Sequence, residues 1–326
     1  MKMVFHSQIM GIAAATSKKK FRNTDFINEK NEKQIRKLIS STGIEERRSL
    51  VRTDIRLVDL AIAAAKDAIE LTGINKEYIR VLLYITQAPE FNTPSTAFYV
   101  QKELGLSTDC IVYDINLGCS GFVAGLCTAA SLLEGTDGGD RYALVINAEY
   151  LSRQKRQNKN DILLFGDAAT AAVLKRNIES SLSIDYHSDG TRYDVITWPD
   201  DNTPVKMDGT AVFEFALNDV VQSLKEYMKT NALDPENVDY IVLHQAQKFM
   251  IDHVAAKCGF KKDQILYSLQ KYGNTAGASI PLAICESRNR IKKESHMLVC
   301  GFGIGLSWGI TDFTIDADAI GGVSEV

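Results

Sequence analysis

The sequence predicts an α/β protein built as two similar halves, and three observations lead there. Apolar or β-branched runs alternate with amphipathic stretches along the whole chain, which is the signature of strands joined through helices into mostly parallel sheets. Both halves close alike: Phe165-Gly166-Asp167 leads into Ala171 to Leu174, and Gly301-Phe302-Gly303 leads into Trp308 to Thr311. Each half also sets a chemically capable residue directly after an apparently central strand, Cys119 in one and His244 in the other. The repeat places a boundary near 176–182 and two halves, 1–178 with the cysteine and 179–326 with the histidine.

Taken in order, Val4 to Ala15 reads as an opening strand and Lys18-Lys19-Lys20 with Arg22 as a solvated turn. A mixed helix spans Asn28 to Ile39, followed by a polar loop from Ser40 to Arg48. Asp54 to Leu71 carries Leu57, Leu60, Ala61, Ala64, Ala65 and Ile69 on one stripe, a core-facing helix stopped by Gly73. Val81 to Thr86 is a buried strand. Thr93 then caps a helix with Pro94 at its first position, running to Leu104 and closed by Gly105.

Ile111-Val112-Tyr113 is read as a buried strand. A glycine-containing turn follows, then Phe122, Val123, Leu126, Ala130 and Leu133 at helical spacing up to Gly135. Cys119 thus stands at a strand-to-helix turn. The unpaired amides of a helix N-terminus favour thiolate over thiol there, and Gly118 and Gly121 keep bulk away from the sulfur. Cys110, Cys127, Cys258 and Cys285 lie in apolar or small-residue contexts and read as structural. Tyr142 to Asn147 is the next strand, and Leu163 to Lys175 turns into another.

In the second half, Ser183 to His187 opens a strand. Phe213 to Met228 is a long amphipathic helix, and Val238 to Leu243 is a buried strand ending at His244. Phe249 to Cys258 is a helix stopped by Gly259, and Ala278 to Lys292 one with Pro281 in its first turn. Met297 to Cys300 is a strand, Gly301 to Gly305 a tight loop, and Ser307 to Ile315 the closing strand.

Composition narrows the class. The 326 residues are 45% hydrophobic and 24% charged with a net charge of −4, so no basic field argues for nucleic acid. No apolar run is long enough to span a membrane, and no signal peptide opens the chain. The six cysteines lack CxxC or metal-ligand spacing, which fits a reducing, cytoplasmic setting without a disulfide frame or metal site.

Three segments carry the chemistry: Cys119, Leu243-His244-Gln245-Ala246-Gln247, and Tyr272-Gly273-Asn274-Thr275-Ala276-Gly277-Ala278-Ser279, an Asn in a small-residue loop before a helix. A thiolate can hold an acyl group as a thioester. A neutral imidazole N–H and a carboxamide are both donors, and aimed at one point they stabilise an enolate or oxyanion. His6, His187, His253 and His296 read as structural or surface residues.

With Ser41 to Arg48, Thr93 to Thr96, Asn116 to Phe122, Phe165 to Ala168, His244 to Ala246, Tyr272 to Thr275 and Gly301 to Gly309, the chain resembles the β-ketoacyl-ACP synthase III family of the thiolase superfamily, nearly end to end. That resemblance implies a thiolase-like duplicated α-β-α-β-α five-layer fold, a homodimer, and acyltransferase activity. Cys119 would be acylated from an acyl-CoA or acyl-ACP. His244 and Asn274 would bind the malonyl-ACP thioester and stabilise the enolate as carbon dioxide leaves. The backbone N–H groups of Cys119 and Ile304 would form the second oxyanion hole. Thr93 (lent to a partner subunit's tunnel), Phe302 and Gly303 would line the substrate tunnel. No cofactor is implied, the substrates riding on coenzyme A or the phosphopantetheine arm of acyl carrier protein.

Departures from the family pattern concern the donor more than the chemistry. Gln247 stands where the family has Asn, Phe249 and Glu214 where it often has cations, Lys37 and Ser41 where many members hold adenine, and Ile304 where it has Gly or Ala. They direct the expectation to a specialised pathway member. Acyl carrier protein is acidic, so a basic docking site is expected at Lys248, Lys257, Lys261 and Lys262, or at Arg153, Lys155 and Arg156. The main alternative keeps the acyl-Cys119 but passes the acyl group to an alcohol or amine. A non-catalytic subunit is disfavoured by retention of all three residue types, and a degradative thiolase or hydroxymethylglutaryl-CoA synthase by the missing second Cys or Glu context.

Overall fold

The computed structural model describes residues 1–136, 138–154, 162–200 and 202–326. Two mixed sheets form its frame. The first has six strands in the order β15(Ile320–Glu325), β2(Ser7–Thr16), β8(Asp167–Arg176), β7(Tyr142–Tyr150), β5(Ile79–Ile85) and β6(Ile111–Ile115). The second has five, β1(Lys2–Phe5), β9(Leu182–Ser188), β14(Ser307–Asp316), β13(Glu294–Gly303) and β12(Tyr240–Leu243). Two small ribbons, β3(Lys20–Arg22) with β4(Glu46–Arg48) and β10(Ile196–Thr197) with β11(Lys206–Met207), complete the strands.

Helices fill three layers around these sheets, which gives the five-layer sandwich. α1(Glu32–Thr42) and α8(Leu269–Tyr272) lie at the margins. The outer face of the first sheet carries α2(Leu57–Thr72) and α3(Thr96–Leu104), and the middle layer holds α4(Gly121–Glu134) and α9(Ser279–Glu286). The outer face of the second sheet carries α5(Gly209–Phe215), α6(Val221–Thr230) and α7(Lys248–Lys257). The period-2 alternation of a strand covered on both faces is explicit. Val81, Leu83 and Ile85 pack into the middle layer while Leu82 and Tyr84 pack outward. In β13, Met297 and Val299 face the middle, and Leu298, Cys300 and Phe302 face out.

Several sequence expectations change here. The opening run is two strands, because the chain leaves the second sheet at His6 and enters the first at Ser7. The basic stretch after it is partly a strand, since Lys20 to Arg22 pair with Glu46 to Arg48. Thr93 and Pro94 precede the helix rather than cap it; Ser95 is its N-cap. Pro281 does sit in the first turn of α9, but that helix stops at Glu286. The tight loop before the last hairpin is shorter than Gly301 to Gly305, because β13 continues to Gly303. β14 is not the closing strand, as β15 crosses back to pair with β2. The strands preceding Cys119 and His244 are not central: β6 and β12 are each the edge of their sheet, and Ile111 is half exposed.

Candidate active site

A cavity of about 300 Å³ brings Cys119, His244 and Asn274 to one space, with Gln87, Asn116, Gln154, Trp198 and Met250 among its other walls. Three strand-end and helix-end arrangements put them there.

Cys119 lies just before α4, whose N-cap is Ser120. A hydrogen bond from Gly121 N–H to the Gly118 carbonyl (2.8 Å) closes the turn around it. The turn seats against the end of β13 through missing side chains. A Cβ on Gly301 would lie 2.9 Å from the Cys119 carbonyl oxygen, and one on Gly303 would lie 2.8 Å from Cys119 Cβ and 3.0 Å from its Sγ. The Ser120 hydroxyl meets Ser307 Oγ at 2.7 Å, and Ser307 Oγ donates to the Ile304 carbonyl at 2.7 Å, fixing the loop beyond β13 to the cysteine turn. Cys119 is half-buried, whereas Cys258, Cys285 and Cys300 are buried thiols whose pKa burial raises.

His244 follows β12, and its N–H donates to the Cys300 carbonyl at 2.9 Å, so β13 serves as the shared ledge for both residues. The ring is buried, edge-on to Phe302 at 5.7 Å. Nδ1 lies 2.8 Å from Ser279 Oγ at the head of α9. Burial lowers the imidazole pKa to about 3, with the Ala276 backbone opposing that shift only in part. The ring is therefore neutral at physiological pH, with Nδ1 held against the Ser279 hydroxyl. Gln245, fully buried, locks the backbone by donating to the carbonyls of Leu243 (2.7 Å) and Leu266 (3.3 Å).

Asn274 precedes α9 and is held on both sides. Its backbone N–H donates to Leu164 O (2.8 Å), and its carbonyl accepts from Gly166 N–H (3.0 Å). Its Oδ1 accepts from Ala276 N–H at 2.9 Å, which leaves the side-chain N–H donors for the cavity that it lines. Gly273 has φ +68, and a Cβ there would meet Leu164 O at 2.8 Å, so only glycine makes this turn.

Of the tunnel residues, Phe302 and Gly303 line the cavity and Ile304 beside them does too, while Thr93 is exposed and outside it. The lysines do not form a free basic patch at the mouth. Lys248 pairs with Asp252 at 2.6 Å and lies over the Tyr267 ring. Lys257 Nζ donates to Leu217 O at 3.3 Å, and Lys261 and Lys262 are exposed beyond the far end of α7, about 15 Å along the helix from Gln247. Exposed Phe249 instead stacks on Phe213 near the cavity rim. Of the second basic group, Arg153 lies over the rings of Tyr150 and Trp198, and Lys155 and Arg156 fall outside the described residues. Gln245 and Ser279 stand within the segments that the sequence singles out, but their places, Gln245 on the backbone around His244 and Ser279 on its ring, come from the fold. Among the described residues no cluster of three or more His, Cys, Asp or Glu side chains could hold a metal. No helix among them is long and apolar enough to cross a membrane.

Comparison with known proteins places this geometry. The family described as 3-Oxoacyl-[acyl-carrier-protein (ACP)] synthase III matches residues 113–190, and its C-terminal counterpart matches 228–315. The β-ketoacyl-ACP synthase III of Clostridium perfringens is 36% identical over 286 residues, 82% of this chain and 87% of that protein. That of Streptococcus equi subsp. zooepidemicus is 33% identical over 325 residues, 94% and 98% respectively. The crystal structure of a 3-oxoacyl-ACP synthase from Burkholderia xenovorans superposes with a TM-score of 0.93 at 26% identity, over 100% of this chain and 99% of that one. The Aquifex aeolicus synthase III superposes with 0.84 at 28% identity, over 94% and 99%. The chain belongs to the β-ketoacyl-ACP synthase III family and carries its thiolase fold.

Proposed function

We propose that this chain condenses an acyl thioester with malonyl-ACP to give β-ketoacyl-ACP and carbon dioxide, with Cys119, His244 and Asn274 as the catalytic residues. The single observation that carries the reading is the convergence of a half-buried cysteine, a neutral buried imidazole and a carboxamide in one cavity.

The steps follow from those groups. Cys119 sulfur attacks the acyl thioester and the donor thiol leaves, so the acyl group is held on the protein. His244 Nε2–H and the Asn274 amide bind the malonyl thioester oxygen. The carboxylate leaves as carbon dioxide, and its electron pair becomes an enolate that both donors stabilise. The α-carbon attacks the acyl-Cys119 carbonyl, whose oxygen is received by the N–H groups of Cys119 and Ile304. That attack forms the new C–C bond, and collapse of the tetrahedral adduct breaks the C–S bond and releases the Cys119 thiolate. A His that stays neutral matters, because an imidazolium in a closed cavity would bind the malonyl carboxylate and oppose its loss. No step needs a cofactor beyond the coenzyme A or phosphopantetheine arm that carries the substrates.

On this reading residues 1–178 bring the nucleophile and 179–326 the two donors. The open edge of β6, with exposed Ile111 and Phe98 nearby, supports pairing of two copies as a homodimer, in which Thr93 would reach the partner's tunnel. We place the reaction in the cytoplasm with acyl carrier protein as the partner. Release of labelled carbon dioxide from malonyl-ACP in the presence of acyl donor tests the proposal. Release stoichiometric with β-ketoacyl product is expected, and acyl transfer to an alcohol or amine without release would replace it.

A further inference from the structure

The steps above leave one buried polar cluster unused. Glu149 is completely buried on β7, two residues beyond Asn147, on the face where Ala143 and Val145 meet the middle layer. One carboxyl oxygen accepts from Gln87 N–H at 3.4 Å. The other faces the Gly277 N–H without reaching hydrogen-bonding geometry, and both polar atoms of Asn147 and the hydroxyl of Thr275 are buried without a hydrogen-bond partner among the described residues. These groups close around two turns. A Cβ on Gly277 would lie 2.9 Å from the Gly118 carbonyl oxygen, 3.1 Å from Asn147 Nδ2 and 3.4 Å from Glu149 Oε1. A Cβ on Gly121 would lie 3.2 Å from Asn147 Nδ2. The cluster is thus wedged between the turn that carries Cys119 and the turn that follows Asn274. Gln87, which its carboxyl receives, is a wall of the cavity.

We infer that Glu149, with Asn147 beside it, is a positioning residue that holds the Gly118–Cys119 turn and the Thr275–Gly277 turn in register, and so aligns nucleophile with donor amide. Burial pushes the Glu149 carboxyl up to about 8, helped by the charge of Asp167, while the facing N–H groups of Gln87 and Gly277 and the charge of Arg153 pull it down. Near neutral pH burial keeps the group largely as the uncharged carboxylic acid, which the Gln87 and Gly277 N–H groups face. Ionising it places a charge in a fully buried site between the two turns, which burial disfavours. The titratable groups around it are Asp167 on β8, Arg153 beyond β7, Tyr84 on β5, Cys119 at the head of α4, and His244 reaching Ala276 from the far side; the Thr275–Ala278 turn brings none.

The inference rests on the condensing reading only for its activity assay, and a second readout stands apart from it. The experiment compares wild type, E149Q and E149A for kcat, KM for malonyl-ACP, melting temperature, and Cys119 alkylation by iodoacetamide, from about pH 6 to about pH 9.5. E149Q keeps a neutral donor and acceptor. It is expected to hold kcat within about threefold of wild type at pH 7 and to lose the fall in kcat that wild type shows above about pH 8. E149A is expected to lower kcat about tenfold or more with KM within about twofold, because Glu149 does not line the cavity. The alkylation profiles of wild type and E149Q should part above the same pH whether or not condensation is seen. An E149Q profile superimposed on wild type in both readouts overturns the inference, and so does wild-type kcat in a folded E149A. A wild type without condensation but with divergent alkylation profiles overturns only the condensing reading.

Discussion

The two walls of the cavity are built by opposite means. The Cys119 wall is made by omission: Gly301 and Gly303 hold no side chain, and the cysteine turn moves into that room until its Cβ and Sγ stand 2.8 and 3.0 Å from where a Gly303 Cβ would be. The His244 and Asn274 wall is made by hydrogen bonds, with Ser279 on the imidazole, Ala276 N–H on the carboxamide, and residues 164–166 along the Asn274 backbone. A nucleophile that must be approached from several directions needs space, while donors that must face one oxygen need fixed angles. The difference predicts that added volume harms the first wall and lost donors harm the second.

Cys119→Ala removes the acyl carrier itself and should lower condensation by at least about 10³-fold, measured as β-ketoacyl product. His244→Ala and Asn274→Ala should each cost about 10² to 10³-fold in condensation, the range for one oxyanion donor, while leaving Cys119 able to take an acyl group. Comparing acyl adduct with product formation in the two variants checks that split. Gly303→Ala sharpens the comparison from the other side. Its methyl meets Cys119 at 2.8 Å, so acylation itself should slow, with a stability loss of about 1–3 kcal/mol in denaturant unfolding.

The smallest effect is on stability. His244 has a folded pKa of about 3 against 6.5 for an ordinary histidine, so below pH 6.5 the unfolded chain binds a proton that the native state refuses. The stability this contributes is complete above pH 6.5 and is lost progressively as pH falls toward the folded value. His244→Gln should flatten the acid side of the melting-temperature profile relative to wild type.

How much of this was legible depended on how local each cause is. The turn at Cys119 could be read because an apolar strand, two glycines and a helical stripe lie within about two dozen residues. Gly73 and Gly105 stop their helices as expected, both in left-handed backbone conformation. Features fixed by distant partners could not be read. Nothing near Met1 says that β1 joins β9, nor does anything near Val326 say that β15 returns to β2. β6 carries the apolar residues of a buried strand yet lies at an edge, since strand composition does not report how many neighbours a strand has. Ser279 ends the segment that the sequence singles out for Asn274, yet its place on the imidazole comes from the fold, and Glu149 is an ordinary residue in sequence that acquires meaning only from what the fold places beside it. The lysines expected to meet a carrier protein count in sequence as charge alone, whereas in the fold Asp252, four residues after Lys248, takes the first of them.

The most direct measurement is a pulse and chase followed by intact-protein mass spectrometry. Wild type and Asn274→Ala are loaded with an acyl thioester and then given malonyl-ACP. The account predicts that both gain one acyl group, absent from Cys119→Ala, and that malonyl-ACP discharges the adduct from wild type but leaves it on Asn274→Ala. An adduct that persists in Cys119→Ala, or one that malonyl-ACP discharges equally from both loaded proteins, would contradict it.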